Sequence, residues 1–152
     1  MRSLAKTMRC SAASLMNWFE TKDRMLWLAS RAFADHWRFE LGYRVGTLGW
    51  AGFLPYDERD RQLTVRRRIW SELGRNDPRI GAVMAEVVLD EESLLADFLR
   101  YLGVSEEAVI AEARRLHVFL LGLWIRMTEV AEPLAREEAE TIWRALGGPL
   151  GV

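Results

Sequence analysis

An all-helical fold is predicted by three observations. Apolar residues recur at helical spacing through every long segment, and no run of clean period-two alternation bounded by turn residues occurs. Half of the 152 residues are apolar, enough to bury a sizeable core in one compact domain with at most a small appendage. Seven Trp, six Phe and three Tyr supply bulky core side chains, while four Pro and eleven Gly are too few for a fibrous or low-complexity chain. No internal repeat is visible.

Taken in order, a first helix is predicted over residues 3–8, with Arg9-Cys10 as a turn. Ser11 can cap a second helix over 11–19, its hydroxyl accepting a backbone N–H. Thr21 caps a third, with Asp23 in its first turn complementing the helix dipole. That helix, about 22–41, places Met25, Leu28, Ala29, Ala32, Phe33, His36 and Trp37 on one face, with Gly42 as its stop. Glycines 46, 49 and 52 leave only a short, loose helix over 44–54, since each costs roughly 1 kcal/mol relative to Ala. Pro55-Tyr56-Asp57 turns into a helix over 58–75 with a buried stripe of Leu63, Ile69, Trp70 and Leu73; Arg66-Arg67-Arg68 reads as a solvated face. Asn76-Asp77-Pro78 breaks the chain, because the residue before proline is pushed out of the helical region. Helices follow over 78–102, ended by Gly103, and over 106–130, capped by Ser105 with Glu106 and Glu107 in the first turn. A last helix runs from Pro133 to Gly147-Gly148-Pro149.

The most specific pattern lies in residues 4–26: Leu4-Ala5, Ser11 at the front of a helix, Leu15, Phe19, Lys22 and Met25-Leu26. Spacing alone also fits an ordinary amphipathic hairpin. In residue identity the run resembles the helix-turn-helix of the tetracycline-repressor family of bacterial transcription regulators. Weaker landmarks, Leu54-Pro55, Trp70 and Asp77-Pro78, resemble the family's helical ligand-binding half, and Gly122-Leu123 its dimerisation pair.

The resemblance implies a DNA-binding head over 1–41 and a ligand-binding and dimerisation body over 42–152. The second helix of such a head enters the major groove. Arg9, Ser11, Ala12, Ser14, Met16, Asn17, Trp18 and Lys22 are then the residues facing DNA, with Ser14 and Asn17 able to bond bases or phosphates. The family carries Gly where this chain has Arg9 and Tyr where it has Met16, and places a further helix before this pair. With the chain starting at Arg2, a shortened head is expected to bind operator DNA weakly. The implied function is a ligand-responsive regulator, a repressor that binds palindromic double-stranded operator DNA as a homodimer and is released by a small apolar effector. The alternative is a helical dimer that binds a ligand or protein but no longer reads DNA.

Within the body, His36, Trp50, Phe53, Trp70, Phe98, His117 and Trp124 are candidates to line an effector pocket, although aromatics at helical spacing also read as core. The two histidines read as buried, hydrogen-bonded imidazoles or as ligand contacts. Leu116, Leu120, Leu123 and Met127, backed by Ile142, Trp143 and Leu146, form a stripe suited to a two-fold four-helix bundle; the same stripe could pack internally.

Net charge is −1, but residues 1–38 carry seven Lys/Arg against three Asp/Glu, and residues 91–140 eleven Asp/Glu against five Arg. A basic head on an acidic body suits phosphate contacts at one end. The single Cys10 excludes an internal disulfide, and with no apolar leader the chain is predicted to be cytoplasmic. The longest apolar run, Val118 to Ile125, is too short to span a bilayer, so no membrane partner is expected. No nucleophile–base pair, phosphate loop or metal-ligand cluster is visible, so neither catalysis, metal nor cofactor is expected.

Overall fold

The computed structural model describes residues 6–7, 9, 11–130 and 135–145. Its main helices are α1 (Ala12–Phe19), α2 (Lys22–Leu48), α3 (Glu58–Gly74), α4 (Pro78–Tyr101), α5 (Glu106–Glu129) and α6 (Arg136–Ala145), with a 3₁₀ turn over Gly49–Phe53. No strand occurs among the described residues. The predicted positions Leu4, Met8, Cys10, Pro133 and Leu146 lie outside the described residues, as do the side chains of Ala12, Leu15 and Met16.

Local chemistry sets most boundaries. The hydroxyl of Ser11 accepts from Ser14 N at 2.9 Å, and that of Thr21 from Arg24 N at 3.0 Å. Asp57 accepts from Asp60 N at 2.7 Å, and Asp77 from Arg79 N at 2.9 Å with Pro78 opening α4. Each bond satisfies one of the donors that a helix start leaves unpaired. Ser105 sits at the cap position of α5 but makes no side-chain cap bond; its helix starts instead with Glu106 and Glu107 at the positive end of the dipole.

Helix α2 departs from expectation. It runs through Gly42 and Gly46 to Leu48, so the 41/42 division falls inside one continuous helix. Tertiary burial overrides the weak propensity of the glycines: Leu41, Arg44 and Val45 are all buried. Arg44 donates to the Leu54 carbonyl and pairs with Asp60 at 3.3 Å, tying the 3₁₀ turn onto the helix. Burial lowers the Arg44 guanidinium and raises the Asp60 carboxyl, against the attraction between them. Gly49, at φ +59°, ends α2 in the left-handed region. Gly52 has to be glycine, because a Cβ there would stand 2.4 Å from the backbone of Arg44.

The buried face of α2 is also rotated from the predicted one. Ser30, Phe33, Ala34 and Trp37 are buried, while Leu28, Ala29, Ala32 and His36 face solvent. On α3, Leu63 is buried as predicted, but Ile69 and Leu73 are exposed and Arg67 points inward. Helix α4 packs against α2, α3 and α5, and one core of Trp37, Leu41, Phe53, Leu95, Leu99, Leu120 and their neighbours fills the space between them. Each such side chain contributes roughly 1.5–3 kcal/mol by leaving water. Trp143 of α6 closes one end, stacked on Trp50 at 5.4 Å and against Phe119 at 6.3 Å.

Candidate functional site

At the N-terminal end, Lys6 and Thr7 are helical and Arg9 turns the chain, its N–H donating to the Lys6 carbonyl at 3.2 Å. Arg9 adopts φ +52° and Glu20, after α1, φ +61°. Both lie in the left-handed region, which costs a non-glycine residue about 1–2 kcal/mol. Ser11, Ser14 and Trp18 are spaced three and four apart and so share a face of α1, with Asn17 beside them. Trp18 is 62% exposed, and Arg9, Ser11, Asn17 and Lys22 are also exposed. Glu20 is neutralised by Arg24 at 2.6 Å.

The body contains a buried charged cluster around His117, one of the two histidines that the sequence reads as a buried, hydrogen-bonded imidazole or a ligand contact. Glu91 of α4 is 2% exposed, His117 of α5 3% and Arg67 of α3 8%. Both Glu91 oxygens accept from Arg67, through Nε and Nη2, each at 2.5 Å. His117 Nε2 lies 2.8 Å from Glu91 Oε2 and donates to it, since a carboxylate only accepts. His117 Nδ1 lies 3.7 Å from Glu92. The guanidinium also sits 5.8 Å from the Trp37 ring and 5.0 Å from the Trp124 ring, cation–π contacts that strengthen out of water. Burial alone would raise the Glu91 carboxyl, but the His117 hydrogen bond and the charge of Arg67 hold it below the usual carboxylate range. Three helices are thereby pinned at one point.

Clefts open on either side of this cluster. Between α3 and α5 a cleft of about 190 Å³ is lined by Arg67, Ser71, Leu121, Trp124 and Thr128. Between α2 and α4 a cleft of about 230 Å³ is lined by Trp37, Arg38, Asp90, Glu91 and Asp97, and adjoins a groove of about 720 Å³ through the shared Gly42 and Leu94. Trp37 Nε1 is buried and has no hydrogen-bond partner.

The seven residues expected to line an effector pocket do not surround one cavity. Phe98 lines the α2–α4 groove and Trp124 the α3–α5 cleft. Trp124 is also tied down, donating to the Phe53 carbonyl at 2.6 Å. Trp50 stacks on Trp143, Phe53 packs edge-on to Phe98, Trp70 lies against Phe33, and His117 is bound to Glu91. These aromatics fill the core because stacking on one another removes more apolar area from water than lining a void does. His36 is exposed rather than buried. The expected dimer seam is likewise internal: Leu116, Leu120, Leu123, Met127 and Trp143 are buried within a single chain, and Ile142 is half-buried.

Arg67 and Glu91 were legible in principle. Glu91 sits in the α4 stripe Ile80, Met84, Val87, Leu95, and Arg67 follows Leu63 by one turn. A charged residue on a core stripe is the signal of a buried ion pair.

Among the described residues no helix is long and apolar enough to cross a membrane, and no group of metal-binding side chains occurs. Family models, curated proteins and solved structures yield no match to this chain.

Proposed function

We propose that the chain is a ligand-responsive transcriptional regulator of the tetracycline-repressor type, a cytoplasmic homodimer that binds operator DNA through the end bearing α1 and is released by a small effector in the helical body. The observation that carries this reading is the backbone at Arg9. The resemblance puts a glycine at this position, and the chain turns there through the conformation that favours glycine, directly before a short helix presenting Ser11, Asn17 and Trp18 to solvent. Helix α2 runs unbroken from this end into the core over about 40 Å at 1.5 Å per residue, so a shift in the body is carried to the head. An effector moves the equilibrium only by its difference in affinity between the two arrangements.

The dimer face that suits this reading is the outer side of α5, not the buried stripe. Ile110, Val118, Gly122 and Ile125 recur there at helical spacing and are exposed, and Val118 is 71% exposed. A C2 pairing of this face buries apolar surface that a monomer leaves in water.

A second reading, a helical dimer that binds a ligand or protein without reading DNA, is favoured by the sparse burial of the head, where no described side chain before Ser30 is buried. One experiment separates the two: fluorescence anisotropy of this chain with the DNA upstream of its own gene, titrated with salt. Sequence-specific binding with a steep salt slope supports the regulator; equal, weak affinity for scrambled DNA supports the second reading.

A further inference from the structure

We propose that the groove between α2 and α4 is a binding site for a neutral, largely apolar molecule bearing one hydrogen-bond acceptor, which the Trp37 indole N–H meets at the inner end. This deepens the effector-binding half of the proposed function and does not depend on DNA recognition.

Three observations define the ligand. First, Trp37 is 2% exposed and its Nε1 has no partner. A buried donor without an acceptor is costly, and native proteins satisfy nearly all of them. Trp37 is among the residues lining the inner cleft, and an acceptor bound there that reached the indole N–H would remove the penalty. Second, every charged side chain lining the cleft is already neutralised within the protein. Arg38 pairs with Asp90 at 2.5 Å, Asp97 with Arg100 at 2.9 Å, and Glu91 with Arg67. A charged ligand would lose hydration without gaining an opposite charge, so a neutral one is favoured. Third, the adjoining groove is lined by Val45, Leu48, Leu94 and Phe98 with no ionisable side chain except Tyr101. Its volume of about 720 Å³ falls in the range of small-molecule pockets, which combine apolar walls with a few polar groups. Gly46 widens it, and a Cβ there would meet nothing within 4 Å.

The ligand's acceptor is a carbonyl, ether or hydroxyl oxygen, and its body an aromatic or aliphatic group lying along the α2 glycines. The test uses two matched molecules, the aryl ketone acetylnaphthalene and its hydrocarbon counterpart ethylnaphthalene, titrated calorimetrically into the full chain without DNA. The ketone is expected to bind at one per chain about tenfold more tightly than the hydrocarbon, the effect of one hydrogen bond to a previously unsatisfied donor. Trp37→Phe keeps an aromatic, smaller side chain and removes the donor, and is expected to erase that preference. Gly46→Leu is compatible with a helical backbone and fills the groove; it is expected to weaken both molecules at least about tenfold, the loss when apolar contact is replaced by overlap.

No binding of either molecule, equal affinities in the unaltered chain, a preference surviving Trp37→Phe, or affinities unmoved by Gly46→Leu would each overturn the proposal. Should Trp37→Phe fail to fold by circular dichroism, the ketone-to-hydrocarbon ratio and Gly46→Leu decide. Ketone binding without operator binding would sink the regulator reading and leave this site standing.

Discussion

The two ends of α2 live in different environments. Its first turns, with α1, belong to a region in which no described side chain from Lys6 to Ala29 is buried; from Ser30 onward the same helix contributes Phe33, Trp37, Leu41 and Val45 to the core. The head holds its shape through local bonds, the Ser11 and Thr21 caps and the turns at Arg9 and Glu20. The body holds its shape through burial and through buried ion pairs, the Arg67–Glu91–His117 cluster and Arg44 with Asp60. Local bonds are worth about 1 kcal/mol each and break independently, whereas core contacts fail together. A segment of low local stability joined rigidly to a cooperative core is the arrangement that lets an event in the core reposition the segment.

The largest effect tests the body. Glu91→Ala leaves Arg67 charged, buried and unpaired, and is expected to cost about 3–5 kcal/mol by urea unfolding, while the double replacement Arg67→Met with Glu91→Leu recovers most of it. A loss below about 1 kcal/mol, the scale of an exposed pair, would show that the cluster is hydrated. The pH dependence has a definite sign. Because the folded-state Glu91 value is depressed, its stabilisation is complete above the unfolded carboxyl value of about 4.3 and is lost as pH falls through the lower folded value. Glu91→Gln should remove that acid-sensitive component from the stability profile.

The next comparison lies within α5. Leu120 is fully buried and Val118 largely exposed. Leu120→Ala is expected to cost about 2–5 kcal/mol, whereas Val118→Glu should leave monomer stability within about 0.5 kcal/mol and dissociate the proposed dimer in sedimentation. A dimer unchanged by Val118→Glu removes the outer face of α5 as the interface.

For the head, Ser11→Ala should destabilise α1 by about 1 kcal/mol. The loss should appear in amide exchange of Ala12–Phe19 and leave the global unfolding midpoint unmoved. A shift of the whole transition would mean that the head and body unfold as one unit, contrary to the contrast drawn above.

The smallest expected effect is at Lys22. If it meets phosphate, Lys22→Ala weakens DNA binding equally for all sequences and lowers the salt slope by about 1. A changed sequence preference at constant slope assigns it to base reading instead.

Much of the helical layout could be read from the chain. Apolar periodicity and the turn residues at Thr21, Asp57, Asp77 and Gly103 determine an all-helical protein and place α3, α4 and α5 to within a residue or two at each end, because capping and left-handed turns are local chemistry. The candidate sites were less legible. Whether an apolar stripe meets its own chain or a second copy depends on which helices come together, so Leu116, Leu120 and Leu123 look the same in either case and only packing assigns them to the core. Aromatic spacing says equally little about which ring faces a void. Helix α2 passes Gly42 and Gly46 because Arg44 finds the Leu54 carbonyl and Asp60, partners supplied by another part of the chain. Arg67, Glu91 and His117 lie on three helices, and a buried charge is tolerated only where its counter-charge arrives with the right geometry. Local propensity therefore determined the elements. The rotation of each helix, the buried ion cluster and the groove beside Trp37 were decided by tertiary packing, since each depends on side chains brought together from separate helices.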